Sequence, residues 1–189
     1  MTRFSVVFDA CVLYPAPLRD LLMHLEMTHL FRARWTERIH DEWTRSVLAQ
    51  RSDLSPAQLQ RTRELMNTAV PDGRVQGYEY LIDGLQLPDE DDRHVLAAAI
   101  RSHSSVIVTF NLKDFPVAAL SPYDVEAQHP DEFIAHLYDL NPALVLEAVR
   151  RCRASLKNPP KSAGEYLDTL LRQGLPETVA LLRPWCAAF

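Results

Sequence analysis

The sequence predicts an α/β fold, a parallel sheet with helices on both faces, followed by a small helical subdomain. Three observations predict it. Arg3-Phe4-Ser5-Val6-Val7-Phe8 and Val106-Ile107-Val108-Thr109-Phe110 are short apolar runs rich in β-branched and aromatic residues, as buried parallel strands require. Each run stops abruptly on an oxygen-bearing side chain, Asp9 or Asn111, and ligands of open α/β sheets bind outside the carboxyl ends of strands. Segments of helical period separate the strands, whereas from Asn141-Pro142 onward the pattern is helical alone.

The elements follow in order. After Asp9 comes a loop with Pro15 and Pro17, then a helix over about Leu18 to Phe31 with Leu18, Leu21, Leu22 and Leu25 on one face. Thr36 is a plausible N-cap for a second helix reaching Ala49; its apolar stripe is Ile39, Trp43 and Val47, with Glu42 one step beside the stripe. Ser55-Pro56 opens a third helix by the rule that places proline just inside a cap. Residues 71–86 hold three glycines and allow a short strand or turn near Arg74–Gln76. A helix opens at Asp89, before the strand at Val106; an edge strand near Asp124–Ala127 and a helix from His129-Pro130 follow. Residues 1–138 form the expected α/β domain and 139–189 a helical extension broken at Asn158-Pro159-Pro160, Gly174 and Pro184.

The 189 residues, 47% of them hydrophobic, suffice for a substantial core and argue against disorder. Cys11, Cys152 and Cys186 are odd in number and lack CxxC spacing, which reads as a reduced, cytoplasmic chain without a structural zinc or a disulfide framework. No apolar run approaches the roughly 18 residues of a membrane span, and the N-terminus has no signal-peptide pattern.

Charge is unevenly placed. The net charge is −5, yet residues 32–63 carry seven arginines against four acids, and Arg150, Arg151, Arg153, Lys157 and Lys161 stand together with no acid among them. Acids gathered at one site with basic flanks suit an enzyme that holds a metal and cleaves a polyanion, although each basic patch alone is equally a solvated helix face. The densest acidic stretch is Asp89-Glu90-Asp91-Asp92, ahead of the apolar helix Val95 to Ile100. One or two carboxylates satisfy a helix N-terminus, and Asp89 with Asp92 could form a variant capping box; four in a row overshoot that need. Asp92 adjoins the apolar stretch and is best placed to point inward. Asp9 could simply start a turn, but Ala10-Cys11-Val12-Leu13 are not turn formers. His40 and His94 read as structural hydrogen-bonders, and Cys11 as a buried filler rather than a nucleophile, because no His–acid pair accompanies it.

Together Phe8-Asp9-Ala10-Cys11-Val12-Leu13, Asp41-Glu42-Trp43, Leu87 to Ala99 and Val108 to Phe115 resemble the PIN domain, in the order found in VapC-type toxin ribonucleases. The resemblance spans about residues 3–135. It implies a Rossmann-like three-layer α/β/α domain, cleavage of RNA dependent on Mg²⁺ or Mn²⁺, a homodimer, and inhibition by a cognate antitoxin. The tail after about residue 140 resembles an extension found in a longer subset of the family. Carried over position by position, the family's acids fall on Asp9, Glu42 and Asp92, with Asp9 and Asp92 as metal ligands. The Thr-x-Asn/Asp-x-x-Asp-Phe motif falls on Thr109 to Phe115, so that Thr109 and Asn111 order the site and Asp114 joins the catalytic set. Many members have Asp where this chain has Asn111, which removes one charge. Arg34, Arg38 and Arg45 are candidates for contact with RNA or antitoxin.

Two other readings remain at this level. A phosphotransferase with a strand-end Asp nucleophile needs a second Asp two residues on, where this chain has Cys11. A catalytically silent PIN-like module binding RNA or protein would not need the acids at all.

Overall fold

A computed structural model describes residues 4–188; Arg3, at the head of the expected first strand, lies outside the described residues. In chain order the regular elements are β1 (Phe4–Phe8), α1 (Ala10–Leu13), α2 (Ala16–Glu26), β2 (Phe31–Arg34), α3 (Glu37–Gln50) and α4 (Pro56–Ala69). Then come α5 (Arg93–Arg101), β3 (Val106–Val108), α6 (Val117–Leu120), β4 (Glu126–Gln128), α7 (Pro130–Leu140), α8 (Pro142–Ser155), α9 (Ala163–Arg172) and α10 (Pro176–Leu182). Short 3-10 turns interrupt the series, notably Glu90–Asp92 and Leu112–Asp114.

The four strands form one all-parallel sheet in the order β2-β1-β3-β4, the α/β class the sequence predicts. Val7 stands opposite Arg34 on one side and Ile107 on the other, and Ile107 stands opposite Ala127. β1 is central, and Val6, Val7 and Phe8 are wholly buried, which explains its uninterrupted apolar run. Pairing continues past the strand ends: the Asp9 amide donates to the Val108 carbonyl at 3.1 Å, and the Thr109 amide to the Gln128 carbonyl at 3.0 Å. Asp9 and Thr109 are thereby fixed at the carboxyl edge of the sheet.

The chain divides into two compact units, and the division differs from the expected boundary at 138/139. The first comprises residues 1–14 and 31–128, and the second residues 15–30 and 129–189. Helix α2 therefore belongs with the C-terminal helices, where it packs against α8 and α9, while α10 packs against α7. Its Leu18, Leu21, Leu22 and Leu25, the face visible in the sequence, are fully buried. Within this unit the Asp131 carboxylate accepts from the Glu177 and Thr178 amides, each at 2.8 Å, and so caps α10.

The expected helix to Phe31 ends early and a strand, β2, takes its place. Helix α2 stops at Glu26, His29 adopts a left-handed conformation with φ 62°, and Phe31-Arg32-Ala33-Arg34 alternates buried and more exposed positions. The short pairing expected near Arg74 is present as a bridge between Trp35 and Arg74. Thr36 and Ser55 cap α3 and α4 as their sequences predict, Ser55 reciprocally with Gln58. Among the described residues no helix is long and apolar enough to cross a membrane.

Candidate active site

Three elements of the first unit deliver one acid each to a cavity of about 350 Å³: Asp9 from the end of β1, Glu42 from α3 and Asp92 from the turn that opens α5. Ala10, Cys11, Tyr14, Trp43, Ser46 and Asn111 complete its lining. The polar wall is thus made by residues about 30 to 50 positions apart in sequence.

Asp9 is 5% exposed and its carboxylate is fully engaged. Oδ1 accepts from the Ala10 amide at 2.7 Å, the helix-cap bond anticipated for a turn-forming Asp. Oδ2 accepts from Thr109 Oγ1 at 2.7 Å and from Cys11 Sγ at 3.2 Å. Thr109 in turn accepts from the Asn111 amide at 3.0 Å, and Cys11 Sγ accepts from the Phe110 amide at 3.3 Å. The β1 and β3 ends are therefore sewn together around Asp9, and Cys11 is part of the stitching, a role the sequence did not indicate. Burial, reinforced by the Asp9 charge, pushes the Cys11 thiol up to about 12, so it is no nucleophile.

The acidic run resolves into four separate tasks. Asp89 caps the turn by accepting from the Asp91 amide at 2.9 Å, rather than forming a capping box with Asp92. Glu90 pairs with Arg93 at 2.5 Å, and Asp91 faces Arg38 at 3.8 Å. Asp92 occupies the N-cap position of α5, yet its side chain makes no cap bond and lines the cavity instead. Burial, followed by repulsion from Asp9, Asp89, Asp114 and Glu42, pushes the Asp92 carboxyl up to about 7.

Glu42 has the opposite environment. Burial acts to raise it, but the bonds from His94 and Arg38 prevail and hold its carboxyl below the usual range. Oε1 accepts from His94 Nε2 at 3.0 Å and from Arg38 Nε at 3.1 Å. Trp43, next in sequence, is a wall of the cavity; its indole donates to His40 Nδ1 at 2.9 Å. His40 is buried, its desolvation drives its pKa down to about 4, and it is a structural acceptor as the sequence reading holds.

The remaining expected residues divide. Asn111 is on the cavity rim, while Asp114 is half-buried, does not line the cavity, and reaches the site only through its field on Asp92. Arg38, Glu42 and Arg45 share one face of α3, spaced four and three residues apart. Arg34 lies away from them, bonded to the Asp72 carbonyl and lining a different pocket with Arg74 and Arg101.

Three carboxylates at one cavity, one of them lifted to about 7 by burial and then by its acidic neighbours, suit a hard divalent cation. Among the described residues, however, no three His, Cys, Asp or Glu side chains converge on a point as chelators do. A cation held by one or two carboxylates and its own waters, the habit of Mg²⁺, needs no closer convergence.

A family model described as the PIN domain matches residues 5–113, and one described as the VapC50 C-terminal domain matches residues 130–184. A Mycobacterium tuberculosis (strain ATCC 25618 / H37Rv) protein named "Putative ribonuclease VapC50" is 37% identical over 121 residues, which span 62% of this chain and 70% of that protein. No solved structure matches the chain significantly.

Proposed function

The chain belongs to the PIN-domain family, and from that premise we propose that it is a Mg²⁺- or Mn²⁺-dependent endoribonuclease acting as the toxin of a toxin–antitoxin pair. One observation carries the reading: Asp9, Glu42 and Asp92, from three separate elements, line one open cavity at the carboxyl edge of the sheet. The chemistry a divalent cation would supply here, once bound, is Lewis-acid polarisation of the scissile phosphate and a lowered pKa for the attacking water. Asp9 and Asp92 would hold the cation directly, and Glu42, kept ionised by its partners, would hold it through a water and orient that water. Thr109 fixes the Asp9 oxygen that faces it, and Asn111 offers a neutral amide at the rim. Asp114 adds negative field rather than a ligand. The chain works in the cytoplasm as a homodimer, and its partners are RNA and a small antitoxin protein.

RNA cleavage is expected with Mg²⁺ or Mn²⁺, to be abolished by EDTA and restored by excess metal, as gel analysis of a structured RNA would register. Cleavage that survives chelation overturns the reading. A chain that binds RNA but neither metal nor cleaves would instead be the silent module.

Arg38 and Arg45, on the cavity's helix, are the cations to meet RNA phosphate or an acidic antitoxin segment. If they meet phosphate, replacing both with Ala flattens the log–log dependence of RNA affinity on salt by about one unit per lost contact. A double variant with the parental salt slope that no longer binds antitoxin assigns them to the inhibitor. One surface serving for RNA and antitoxin predicts both losses, since an inhibitor that blocks the substrate path needs no separate face.

A further inference from the structure

Resting on the nuclease reading above, we propose that His94 is a positioning residue: it holds the Glu42 carboxylate in the orientation from which that acid serves the cation site. Its imidazole is buried, with side-chain exposure of 1%, and Nε2 lies 3.0 Å from Glu42 Oε1. The other ring nitrogen, Nδ1, is also buried and has no hydrogen-bond partner among the described residues. Glu42 as an acceptor fixes the Nε2–H tautomer and leaves the Nδ1 lone pair unsatisfied, which costs stability. An apolar side chain of similar volume would tether α5 to α3 without that cost. What the imidazole adds over such a side chain is the bond from Nε2 to Glu42.

The competing anchor of Glu42 is weaker. Arg38 reaches the same oxygen at 3.1 Å, but it is an i,i+4 pair with 42% of the Arg38 side chain exposed. Such pairs contribute little and are screened by salt. His94, with its side chain buried, is the better-fixed of the two donors and decides where Glu42 points. With both donors on Oε1, no described residue bonds Oε2, which remains available to the cavity. The spacing serves the same end: Asp92 and His94 share the first turn of α5, so one backbone segment supplies an acid to the site and the clamp for another. His94 itself cannot transfer protons to water, because one nitrogen is engaged and the other is sealed from solvent.

Groups that orient metal-site carboxylates from behind typically change metal affinity 10- to 100-fold when removed. The test compares His94→Leu, His94→Gln and His94→Asn in the full chain, measuring Mn²⁺ affinity by calorimetry, folding by circular dichroism, and cleavage across Mn²⁺ concentrations. Gln can place its amide nitrogen where Nε2 stands and is expected within about threefold of the parent affinity. Leu, and Asn with its amide too short to reach Glu42, are expected to lose roughly 10- to 100-fold in Mn²⁺ affinity. Most of the activity lost in these two should return at saturating Mn²⁺. In a Glu42→Gln background, His94→Leu should change affinity no further. A folded Leu variant with parental affinity, or a Gln variant as impaired as Asn, overturns the inference; the Gln–Asn comparison stands even if Leu does not fold. A parent chain that neither binds Mn²⁺ nor cleaves RNA overturns it together with the nuclease reading. A parent that does both, with all His94 variants unchanged, overturns the positioning role alone.

Discussion

Asp9→Asn is expected to abolish RNA cleavage while leaving the fold intact, and Asp92→Asn to do the same. A carboxylate that helps hold the cation contributes several kcal/mol of transition-state stabilisation, so each loss should be on the order of a few hundred-fold or more in rate. The folds survive for different reasons. In Asp9→Asn the new side chain keeps an oxygen for the Ala10 amide, and the Thr109 hydroxyl can turn to accept from the new NH₂. Asp92 makes no cap bond, so its neutralisation removes no structural contact. Asn111→Ala should be milder, about tenfold or less, because Asn111 orders Thr109 through its backbone amide, which alanine retains. Cleavage assays of purified, folded variants at saturating Mn²⁺ decide this. Full activity in Asp92→Asn would reduce the acidic run to helix-start electrostatics.

Much of this site was legible because it sits where secondary structure changes. Apolar runs that break on Asp9 and at Thr109–Asn111 announce strand ends, and the excess of acid over capping need at Asp89–Asp92 marks a residue with another task. What stayed hidden depends on tertiary contact. Helix α3 could be read from its cap and stripe, but its facing α5 across the cavity, which turns Glu42 and His94 into partners, has no local signature. The signal for His94 was nonetheless present: it lies two residues from Asp92, in the same turn as an acid already singled out. Strand β2 was missed because the apolar residues of α2 run on through Leu30 into Phe31, masking the alternation of Phe31-Arg32-Ala33-Arg34. That α2 joins the C-terminal helices rather than the sheet unit is a matter of long-range packing, and the leucine face of α2 suits either partner. For the same reason sequence proximity alone groups Arg34 with Arg38 and Arg45, whereas strand β2 carries Arg34 to a pocket with Arg74 and Arg101, away from the α3 arginines.

The raised carboxyl of Asp92 gives a second prediction, a stability difference that appears only as the pH rises. In the metal-free fold Asp92 titrates near 7 rather than at its ordinary value of 3.8, so between those values the folded chain holds a proton that the unfolded chain has released. Folding stability due to this group therefore declines as pH rises through that window and levels off above about 7. His40 acts oppositely: driven down to about 4 by burial, it makes stability rise with pH between 4 and its ordinary 6.5. The two trends oppose each other in the parent, so its overall pH profile is uninformative. The difference between parent and Asp92→Asn isolates the carboxyl, since His40 is common to both. That difference should be close to zero near pH 4 and grow to a plateau by pH 8, with the Asn variant the more stable. Asp92 is only partly buried, and after solvent screening the plateau should be about 1–2 kcal/mol, or roughly 3–6 °C in Tm. Adding Mg²⁺ should reverse the order at pH 8, because a ligand that binds only the folded state stabilises by mass action and needs the ionised carboxylate. Thermal melts of both proteins at pH 4, 6 and 8, with EDTA and with Mg²⁺, measure this. A difference independent of pH would mean that Asp92 titrates normally and that the acids do not crowd one another. A difference that grows with pH in EDTA but persists unchanged in Mg²⁺ would mean that the fold does raise Asp92 and that the cation binds elsewhere.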